Sequence, residues 1–512
     1  MLVKAIANPQ TIADDIFNLA AEKCKVFKDQ HGEPYLVYQE GQKNAVVFFN
    51  ETEKIQQFLR KRYYTVYNRT VKSAEVKTAY ETLLSCAECC EKETPVYTRI
   101  KQDNATIYYD LADTDGLMVQ SGVTGTLIVP ENSTKTFFFH RDSTMCAQVR
   151  PVLSENEYTI LDCVNDFFNI PEEQKLLFAV YICSAFLSEI SHPILIVEGE
   201  KGAGKSTSLR YISKIINPVK KDLLVLPHDI TNLVTVLSNN YFTAFDNVGI
   251  VSSDASNVFC QAVTGGSLSK RKLYSDNSEV CINIRRLVAL DGISMQIAQS
   301  DLLDRAIMIK LNRIESSNRA TEGDLNEKFN HYLPNILGDI FTIIGKALEI
   351  YRKVKLTDYP RMADFCKYGY AIAEAIGEGY GNMFIEQYTN NQKIATESAV
   401  GENPLLECVK YIYENEGYWR GSMSSLLLKM QQTLPEIYIG KSIPMGFPKS
   451  ASALSRKLNN HQHDFKILGI NIQIGRDTDR YVVIGDESNK NSIQNNVVDD
   501  IDDTDDNFDI NF

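Results

Sequence analysis

Eight consecutive residues decide how the middle of this chain folds: Gly199-Glu200-Lys201-Gly202-Ala203-Gly204-Lys205-Ser206. They fit the phosphate-binding-loop (P-loop) pattern at every fixed position, which is a glycine, any four residues, then glycine, lysine and serine or threonine. An apolar run typical of a strand, Ile194–Glu198, precedes the loop, and a helical pattern, Ser206–Ile216, follows it. Glycines let backbone N–H groups turn toward a phosphate at the positive end of a helix. The sequence therefore predicts a strand, a nucleotide-binding turn and a helix.

The residue types in this loop predict roles toward bound ATP. We expect Lys205 to reach the β- and γ-phosphates and the Ser206 hydroxyl to ligate Mg²⁺. The implied cofactors are thus ATP and Mg²⁺. The predicted nucleotide-binding residues are the loop and the residue that follows it: Gly199, Glu200, Lys201, Gly202, Ala203, Gly204, Lys205, Ser206 and Thr207.

A magnesium-bound triphosphate also needs a carboxylate at the end of a neighbouring strand. The apolar run Tyr241–Phe245 ends in Asp246 and Asn247, so we expect Asp246 to hold the metal through water. Asn247 stands where such ATPases often carry a glutamate, and an amide orients water without accepting its proton. The general base stays unassigned, because Glu198 and Glu200 are poorly placed substitutes.

Strands and helices alternate around this loop, which predicts an α/β core with a parallel sheet covered on both faces. The further strand candidates are Leu223–Leu226, Tyr241–Phe245, Arg286–Leu290 and Ala306–Leu311. The predicted domains are an N-terminal α+β domain at 1–150, a helical collar or linker at 151–190, a P-loop ATPase core at 191–315, a helical region at 316–400, a winged helix at 401–486 and a disordered acidic tail at 487–512.

The N-terminal part shows alternating strand patterns around a helix. These segments are strands at Pro34–Tyr38, Ala45–Phe49 and Thr106–Leu111, and a helix near Glu75–Glu91. Two further helical patterns follow, Glu155–Phe168, with Ser154 or Asn156 as its cap, and Pro171–Glu189, with proline in its first turn.

The C-terminal part has the element order of a winged helix, three helices followed by a hairpin. The predicted helices are Leu405–Glu414, Ser422–Gln432 and Pro448–Leu458, and the predicted strands are Ile467–Ile474 and Arg480–Ile484. Five basic residues are candidates for contacts with the DNA backbone: Lys449, Arg456, Lys457, Arg476 and Arg480. Winged helices also bind proteins, so both kinds of partner stay open.

The charge distribution matters more than the net charge of −13. Nine acids and one lysine from Asp486 onward contribute −8, which leaves −5 for the rest of the chain. The tail ends in Phe512 and looks like the tail tip of bacterial single-stranded-DNA-binding proteins, which implies host replication proteins as partners; a merely solubilising tail is the alternative. The cysteines are scattered, and the sequence has neither a long apolar run nor a basic stretch followed by an apolar one at its start. These features predict a reduced, cytoplasmic protein without membrane contact.

Three further motifs follow Asp246 in the sequence. These motifs are Thr264-Gly265-Gly266, Lys270-Arg271-Lys272-Leu273-Tyr274 and Arg361-Met362-Ala363-Asp364-Phe365. Together with the P-loop, they resemble the superfamily III helicase branch of AAA+ proteins, and more narrowly the phage-type ATP-binding proteins of phages, plasmids and integrated mobile elements. The resemblance covers roughly residues 100–485.

This resemblance implies a hexameric, ATP-driven DNA helicase, with an initiator role as an option, that acts on single-stranded and forked DNA. Lys270, Arg271 and Lys272 match a segment that leads into a pore hairpin, where cations grip phosphates independently of sequence. A solvated basic turn is the alternative. Asp291 occupies the sensor position, where these helicases usually carry asparagine, and a charged aspartate there would repel the γ-phosphate.

The resemblance also places Arg305 as an arginine finger, which reaches the ATP of the next subunit and therefore requires a ring. A structural salt bridge is the alternative role, and Arg313 and Arg319 are the next candidates for the finger. Two other functions remain open: an AAA+ origin-binding or helicase-loading ATPase without processive unwinding, and a P-loop enzyme or switch acting on a small molecule. Strand displacement separates the first two functions, and ring formation with DNA-stimulated hydrolysis separates both from the third.

Overall fold

The structure is a computed structural model, and it divides the chain into two compact units. The units are Met1–Met295 with Ile307–Tyr388, and Gln296–Ala306 with Thr389–Phe512. The described residues are 11–103, 105–134, 136–154, 157–271, 279–283, 285–293, 295–297, 299–315, 320–357, 359–402, 404–437, 447–476 and 480–486. Within these ranges no helix combines the length and the apolar character that crossing a bilayer requires.

The N-terminal part of the first unit contains two antiparallel sheets. Its elements are α1 (Ile12–Ala21), β1 (Cys24–Lys28), β2 (Pro34–Glu40), β3 (Lys43–Phe48), α2 (Thr52–Tyr67), α3 (Ser73–Glu88), β4 (Val96–Tyr97), β5 (Ile100–Asp103), β6 (Thr106–Asp110), β7 (Leu117–Gly122), β8 (Gly125–Pro130) and β9 (Phe138–Phe139). Strands β1–β2–β3 form one sheet and β5–β6–β7–β8 the other. The helices pack on the first sheet through a shared apolar core that includes Ile16, Ile55 and Leu83.

The middle of the chain forms the parallel sheet that the sequence predicts. Its elements are α4 (Ile160–Phe167), α5 (Glu172–Ser184), β10 (Ile194–Glu198), α6 (Lys205–Ile216), α7 (Ile230–Asn239), β11 (Phe242–Phe245), β12 (Ile250–Val251), α8 (Ser253–Thr264), β13 (Ser267–Arg271), β14 (Glu279–Asn283), β15 (Leu287–Gly292), β16 (Gln296–Ile297), α9 (Ser300–Leu303), β17 (Ala306–Lys310), α10 (Glu322–Tyr351), α11 (Ala363–Ile376) and α12 (Tyr380–Glu402). The strand order is β11–β15–β10–β17, and β15 runs parallel to both β10 and β11.

The strands of this sheet are buried except at the last residues of β10 and β17, as expected for a sheet covered on both faces. One apolar core joins the sheet to α5, α10 and α11, and it also includes Ile107 and Tyr109 of β6. This core therefore continues across position 150, where the sequence alone suggested a domain boundary. The antiparallel sheet β5–β8 shares its packing with the part of the unit that contains the P-loop.

Two local predictions from sequence are wrong. The run Leu223–Leu226 forms only a single bridge from Leu224 to Phe245, because Val225 is 83% exposed and Pro227 follows the run. The helix expected from Glu155 begins at Ile160. Thr159 caps it in a reciprocal arrangement with Asp162, so neither Ser154 nor Asn156 is the cap.

The end of α6 is held by side chains from the N-terminal half of the unit. Gln148 donates from Nε2 to the carbonyls of Lys214 (2.9 Å) and Ile215 (3.0 Å), and the Tyr109 hydroxyl donates to the carbonyl of Ile216 at 3.0 Å. The last carbonyls of a helix have no partner within the helix. These buried bonds satisfy them and fix the helix that begins at the P-loop.

The second unit contains a helical cluster with a small sheet. Its remaining elements are α13 (Pro404–Glu416), β18 (Trp419–Ser422), α14 (Met423–Ile437), α15 (Ala451–Asn460), α16 (Gln462–Ile467), β19 (Ile472–Arg476) and β20 (Arg480–Ile484). The strand order is β18–β20–β19 with antiparallel pairing. The three predicted helices are present, and so is the hairpin. Its first strand was expected from Ile467 but begins at Ile472, because Ile467 ends α16. Strand β18 and the short α16 were not predicted.

His192, in the loop before β10, gives the first unit a testable pH dependence. The residue is 1% exposed, its Nε2 lies 2.8 Å from the Ser184 carbonyl oxygen, and burial lowers its pKa from 6.5 to about 4. The unfolded chain binds a proton near pH 6.5 and the folded chain does not. The stability contribution is therefore complete above that pH and is lost as the pH falls toward 4.

We expect His192 alone to cost about 2 kcal/mol of unfolding free energy when the pH falls from about 7 to 5. The variant His192→Gln keeps a donor for the Ser184 carbonyl and should lose this part of the pH dependence. Denaturant unfolding of both proteins at the two pH values measures the difference. An identical pH dependence in the two proteins would contradict the assignment.

Candidate nucleotide-binding site

The P-loop turns tightly between β10 and α6. Gly202 and Gly204 have φ angles of +82° and +85°, a region that residues with a Cβ rarely adopt, and Gly204 is the N-cap of α6. A Cβ on Gly199 would lie 3.0 Å from the Ala203 Cβ and 3.1 Å from the Leu311 carbonyl oxygen. Each fixed glycine of the motif therefore has a local steric reason.

The side chain of Lys205 folds back onto the start of the P-loop. Its Nζ donates to the carbonyl oxygen of Gly199 at 2.8 Å and to that of Glu200 at 3.1 Å. Both partners are neutral, so the charge of the ammonium group is not compensated by these bonds. Together with the positive end of the α6 dipole, the lysine makes this turn attractive to an anion.

The side chains of Ser206 and Asp246 are in contact, although they belong to different secondary-structure elements. The Ser206 hydroxyl donates to Oδ1 of Asp246 at 2.6 Å. Ser206 is in the first turn of α6, and Asp246 directly follows β11. A hydroxyl and a carboxylate are hard oxygen donors of the kind that Mg²⁺ prefers. The two residues predicted to serve the metal are thus neighbours.

Asp291 joins this group from the strand between β10 and β11. Its Oδ1 accepts a hydrogen bond from the Asn247 N–H at 2.6 Å, and its backbone carbonyl accepts one from Val248 at 2.8 Å. The residue is 1% exposed, and its Oδ2 has no hydrogen-bond partner among the described residues. Burial raises the pKa of Asp291 to about 6, and the nearby charge of Asp246 acts in the same direction. This carboxyl group therefore ionises less readily than an ordinary aspartate.

Asn247 adopts a left-handed backbone conformation with φ of +54°. Asparagine tolerates this region better than most residues. The hydrogen bond to Asp291 holds the backbone in this position at the end of β11. Sequence reasoning missed this contact because it depends on the strand order, which places β15 beside β11.

Arg305 lies in the second unit directly after α9. Its guanidinium group donates to the Asp301 carboxylate and, at 3.0 Å, to the Asp301 carbonyl oxygen, and its side chain is 18% exposed. The single chain thus contains the salt bridge that was the alternative role, and the arginine-finger role stays a prediction. Arg313 lies 3.8 Å from Glu200 of the P-loop, with both side chains exposed. Arg319 is outside the described residues.

The predicted basic hairpin is present as a backbone feature. Strands β13 and β14 pair antiparallel, with Lys270 opposite Val280 and Arg271 opposite Glu279. Lys272 is outside the described residues. The expectation that this hairpin contacts DNA stays a prediction.

The basic residues predicted in the second unit occupy two places. Lys449 and Arg456 are exposed and Lys457 is half-buried, before and on α15, and Arg476 is exposed at the end of β19. Strand β20 begins at Arg480. The acidic tail with Phe512 lies outside the described residues, so its partner is untested.

Gly204→Ala tests the P-loop geometry. We expect the variant to lose about 1–2 kcal/mol of stability and to bind nucleotide more weakly, because alanine is strained at this φ angle. The control is Gly323→Ala in the first turn of α10, where the nearest atom to an added Cβ is 3.8 Å away. Alanine should be neutral or stabilising there. Denaturant unfolding and binding of a fluorescent ATP analogue measure both effects; equal behaviour of the two variants would contradict the geometry.

Comparison with known proteins adds a context to this site. Residues 161–383 match the family model described as Actinomycete integrative conjugative element replication protein. This stretch includes the P-loop, Asp246, Asn247 and Asp291. No curated protein matches the chain.

Two of the most similar solved structures are the apo structure of NrS-1 C terminal region and the A form apo structure of NrS-1 C terminal region. Each has a TM-score of 0.42 and 10% sequence identity, over 92% of this chain and 97% of that chain. The match to the family model supports a replication-associated protein of a mobile element.

Proposed function

We propose that this protein is an ATP-driven hexameric DNA helicase that acts in the replication of a phage, plasmid or integrated element. The observation that carries the proposal is the 2.6 Å hydrogen bond from the Ser206 hydroxyl to Asp246. It brings both predicted magnesium ligands together beside Lys205, at the positive end of α6. The match to the family model over residues 161–383 supports the replication context.

The residues present fit Mg²⁺·ATP. Ser206 and Asp246 would hold the metal, and Lys205 and the backbone of the P-loop would hold the phosphates. The buried Oδ2 of Asp291, unpartnered among the described residues, is a further polar atom in the same place. Bound Mg²⁺ would offset the charge of the phosphates during transfer.

Lys205 can exchange its present hydrogen-bond acceptors for phosphate oxygens. Its bonds to the carbonyl oxygens of Gly199 and Glu200 are bonds to neutral acceptors, and bonds to a charged phosphate oxygen are roughly twice as strong. Asp291 positions Asn247 through its backbone N–H. The amide of Asn247 orients the attacking water and does not take its proton.

The remaining parts of the proposal concern assembly and DNA. Arg305 exchanges Asp301 for the nucleotide of a neighbouring subunit when a ring forms, and the ring stacks its β13–β14 hairpins along single-stranded DNA. The first unit contains an AAA+ core, and α13–α16 with β18–β20 form a winged helix. Lys449, Arg456 and Lys457 contact the DNA backbone.

A second function is favoured by one observation. The residue after Asp246 is an amide, Asn247, and no carboxylate takes its position. An ATPase without a proton acceptor there hydrolyses slowly, which suits a loader or an origin-binding protein whose assembly depends on bound nucleotide. This candidate shares the whole nucleotide site with the helicase.

Lys205→Ala tests both candidates. We expect ATP turnover to fall by roughly a hundredfold or more, because the cation that stabilises the transferred phosphate is lost. Displacement of a strand from a forked DNA should disappear with it. The control is Lys77→Ala, which removes a surface lysine with 70% side-chain exposure.

The outcomes separate the candidates. Unwinding that survives Lys205→Ala would rule out the helicase proposal. DNA-stimulated hydrolysis by the unmodified protein without any strand displacement would favour the loader. A protein that neither binds Mg²⁺·ATP nor forms closed assemblies would refute both.

A further inference from the structure

A strongly basic segment begins in α2 and continues through the loop into α3. Residues 54–80 contain seven lysines and arginines and a single acid, Glu75, in a chain whose net charge is −13. Two of the seven pair with acids, Lys54 with Glu51 and Lys77 with Glu81. The other five make no ion pair with any described residue. Such a local concentration of positive charge attracts an anionic partner even when the whole chain is acidic.

The cations at the end of α2 are accessible at the surface. Lys61, Arg69 and Lys72 are exposed, and Arg60 is half-buried. Arg60 donates from Nη2 to the Ser73 hydroxyl oxygen at 3.3 Å, which joins α2 to the first residue of α3. Lys72 directly precedes that residue and is therefore near Arg60. The positive charge of the helix end and that of the loop thus belong to one surface.

Three large apolar or aromatic side chains are exposed on the same surface. Tyr64 is 56% exposed, Val66 52% and Tyr67 44%. The ring centroid of Tyr67 lies 4.8 Å from that of the buried Tyr63. The side chain of Tyr64 has no hydrogen bond or ring contact among the described residues. Exposed side chains of this kind are ordinary when single, whereas a cluster of them marks an interaction surface.

A tyrosine on α3 shows the contacts of a structural tyrosine. The hydroxyl of Tyr80 donates to the Phe49 carbonyl oxygen at 2.7 Å, and the two ring centroids are 5.6 Å apart. Tyr80 thus joins α3 to the residue after β3. Tyr64 makes neither kind of contact, so the packing of the fold does not account for a tyrosine at that position.

The geometry of α2 brings the cations and the exposed rings together. Residues three and four positions apart lie on the same face of a helix. Tyr64 is therefore beside both Arg60 and Lys61, and Tyr67 is beside Tyr64. The opposite face of α2, which includes Leu59, is buried in the apolar core of the N-terminal part. The helix thus packs through one face and presents basic and aromatic residues on the other.

We infer that this surface, the α2 patch, binds single-stranded DNA, with phosphates on its cations and bases stacked on its tyrosines. The α2 patch consists of Arg60, Lys61, Tyr64, Tyr67, Arg69 and Lys72. Surfaces that bind single strands combine cations, which follow the backbone, with aromatic rings, which stack on bases. A duplex keeps its base faces covered and an acidic protein has none, so the rings favour a single strand. The inference rests on the proposed function only for the identity of the polymer as DNA.

Fluorescence anisotropy of the full chain with a labelled oligothymidylate, in the absence of ATP, tests the cations of the α2 patch. Arg69→Gln should weaken binding by about threefold to tenfold and lower the slope of log affinity against log salt by about 0.7, because one phosphate contact is lost. The matched control is Arg150→Gln. Arg150 has a 52% exposed side chain and is paired with Asp113 and Asp115, so its replacement should leave binding unchanged.

Tyr64→Ser tests the stacking. The variant should weaken binding to oligothymidylate by about tenfold and leave the salt slope unchanged, because a tyrosine ring carries no charge. Tyr64→Phe keeps the ring and should bind like the unmodified protein. A DNA duplex of the same length should respond little to Tyr64→Ser, because its bases are stacked on one another. Thermal unfolding followed by circular dichroism checks that each variant is folded.

A photochemical crosslink locates the DNA on the chain. An oligothymidylate that carries 5-iodouracil should crosslink to the tryptic peptide of residues 63–69, which contains both tyrosines of the α2 patch. Unchanged binding in folded Arg69→Gln and Tyr64→Ser, or crosslinks only outside this peptide, would overturn the inference. Competition by polyglutamate as strong as that by unlabelled oligothymidylate would also overturn it, since the surface would then accept any polyanion. Tighter patch-dependent binding of oligouridylate would assign the surface to RNA instead.

Failure of the proposed function is recognised separately. Arg69→Gln and Tyr64→Ser should bind a fluorescent ATP analogue like the unmodified protein, because neither residue belongs to the P-loop site. An unmodified protein that binds oligothymidylate through the α2 patch and displaces no strand would count against the helicase and support the α2 patch.

Discussion

The hydrogen bond between Ser206 and Asp246 depends on the exact placement of α6, and the rest of the unit supplies that placement. The head of the helix is set by the left-handed turn at Gly204. Its far end is set by Gln148 and Tyr109, which satisfy carbonyls that a helix cannot satisfy itself. A 12-residue helix held at both ends has little freedom to move alone. Any displacement of α6 at the P-loop must therefore be shared with the N-terminal sheet.

The P-loop and the carboxylate of Asp246 could be predicted from sequence, whereas the contacts of Asp291 could not. The loop is a local pattern in which glycine, lysine and serine have fixed offsets, so sequence alone located it. The bond from Asn247 to Asp291 depends on a strand order that brings distant segments together. The cap at Thr159 was missed for another reason: two earlier polar residues, Ser154 and Asn156, fit the same pattern. Local chemistry is readable from sequence, whereas the pairing of strands is not.

The N-terminal half shows the same limit of prediction from sequence over a longer stretch of the chain. Strands β2, β3 and β6 were predicted from alternation, whereas α1, α2 and the remaining strands of this half were not predicted. The apolar core that joins β6 to the parallel sheet leaves no sign in the sequence near position 150. Arg99 also links the N-terminal half to the segment after α6, because it is fully buried and donates to Asn217 at 2.9 Å and to the Pro218 carbonyl oxygen at 3.1 Å.

The carboxyl edge of the parallel sheet brings like charges together. At the carboxyl edge, Asp246 and Asp291 lie close together, and the raised pKa of Asp291 reflects burial and this proximity. Two acids and one lysine leave this edge with a negative balance, which a divalent cation between the acids would offset. A chain with a negative net charge can still have an anion site beside Lys205, because such a site is decided by the few groups within a few ångströms of it and not by the total.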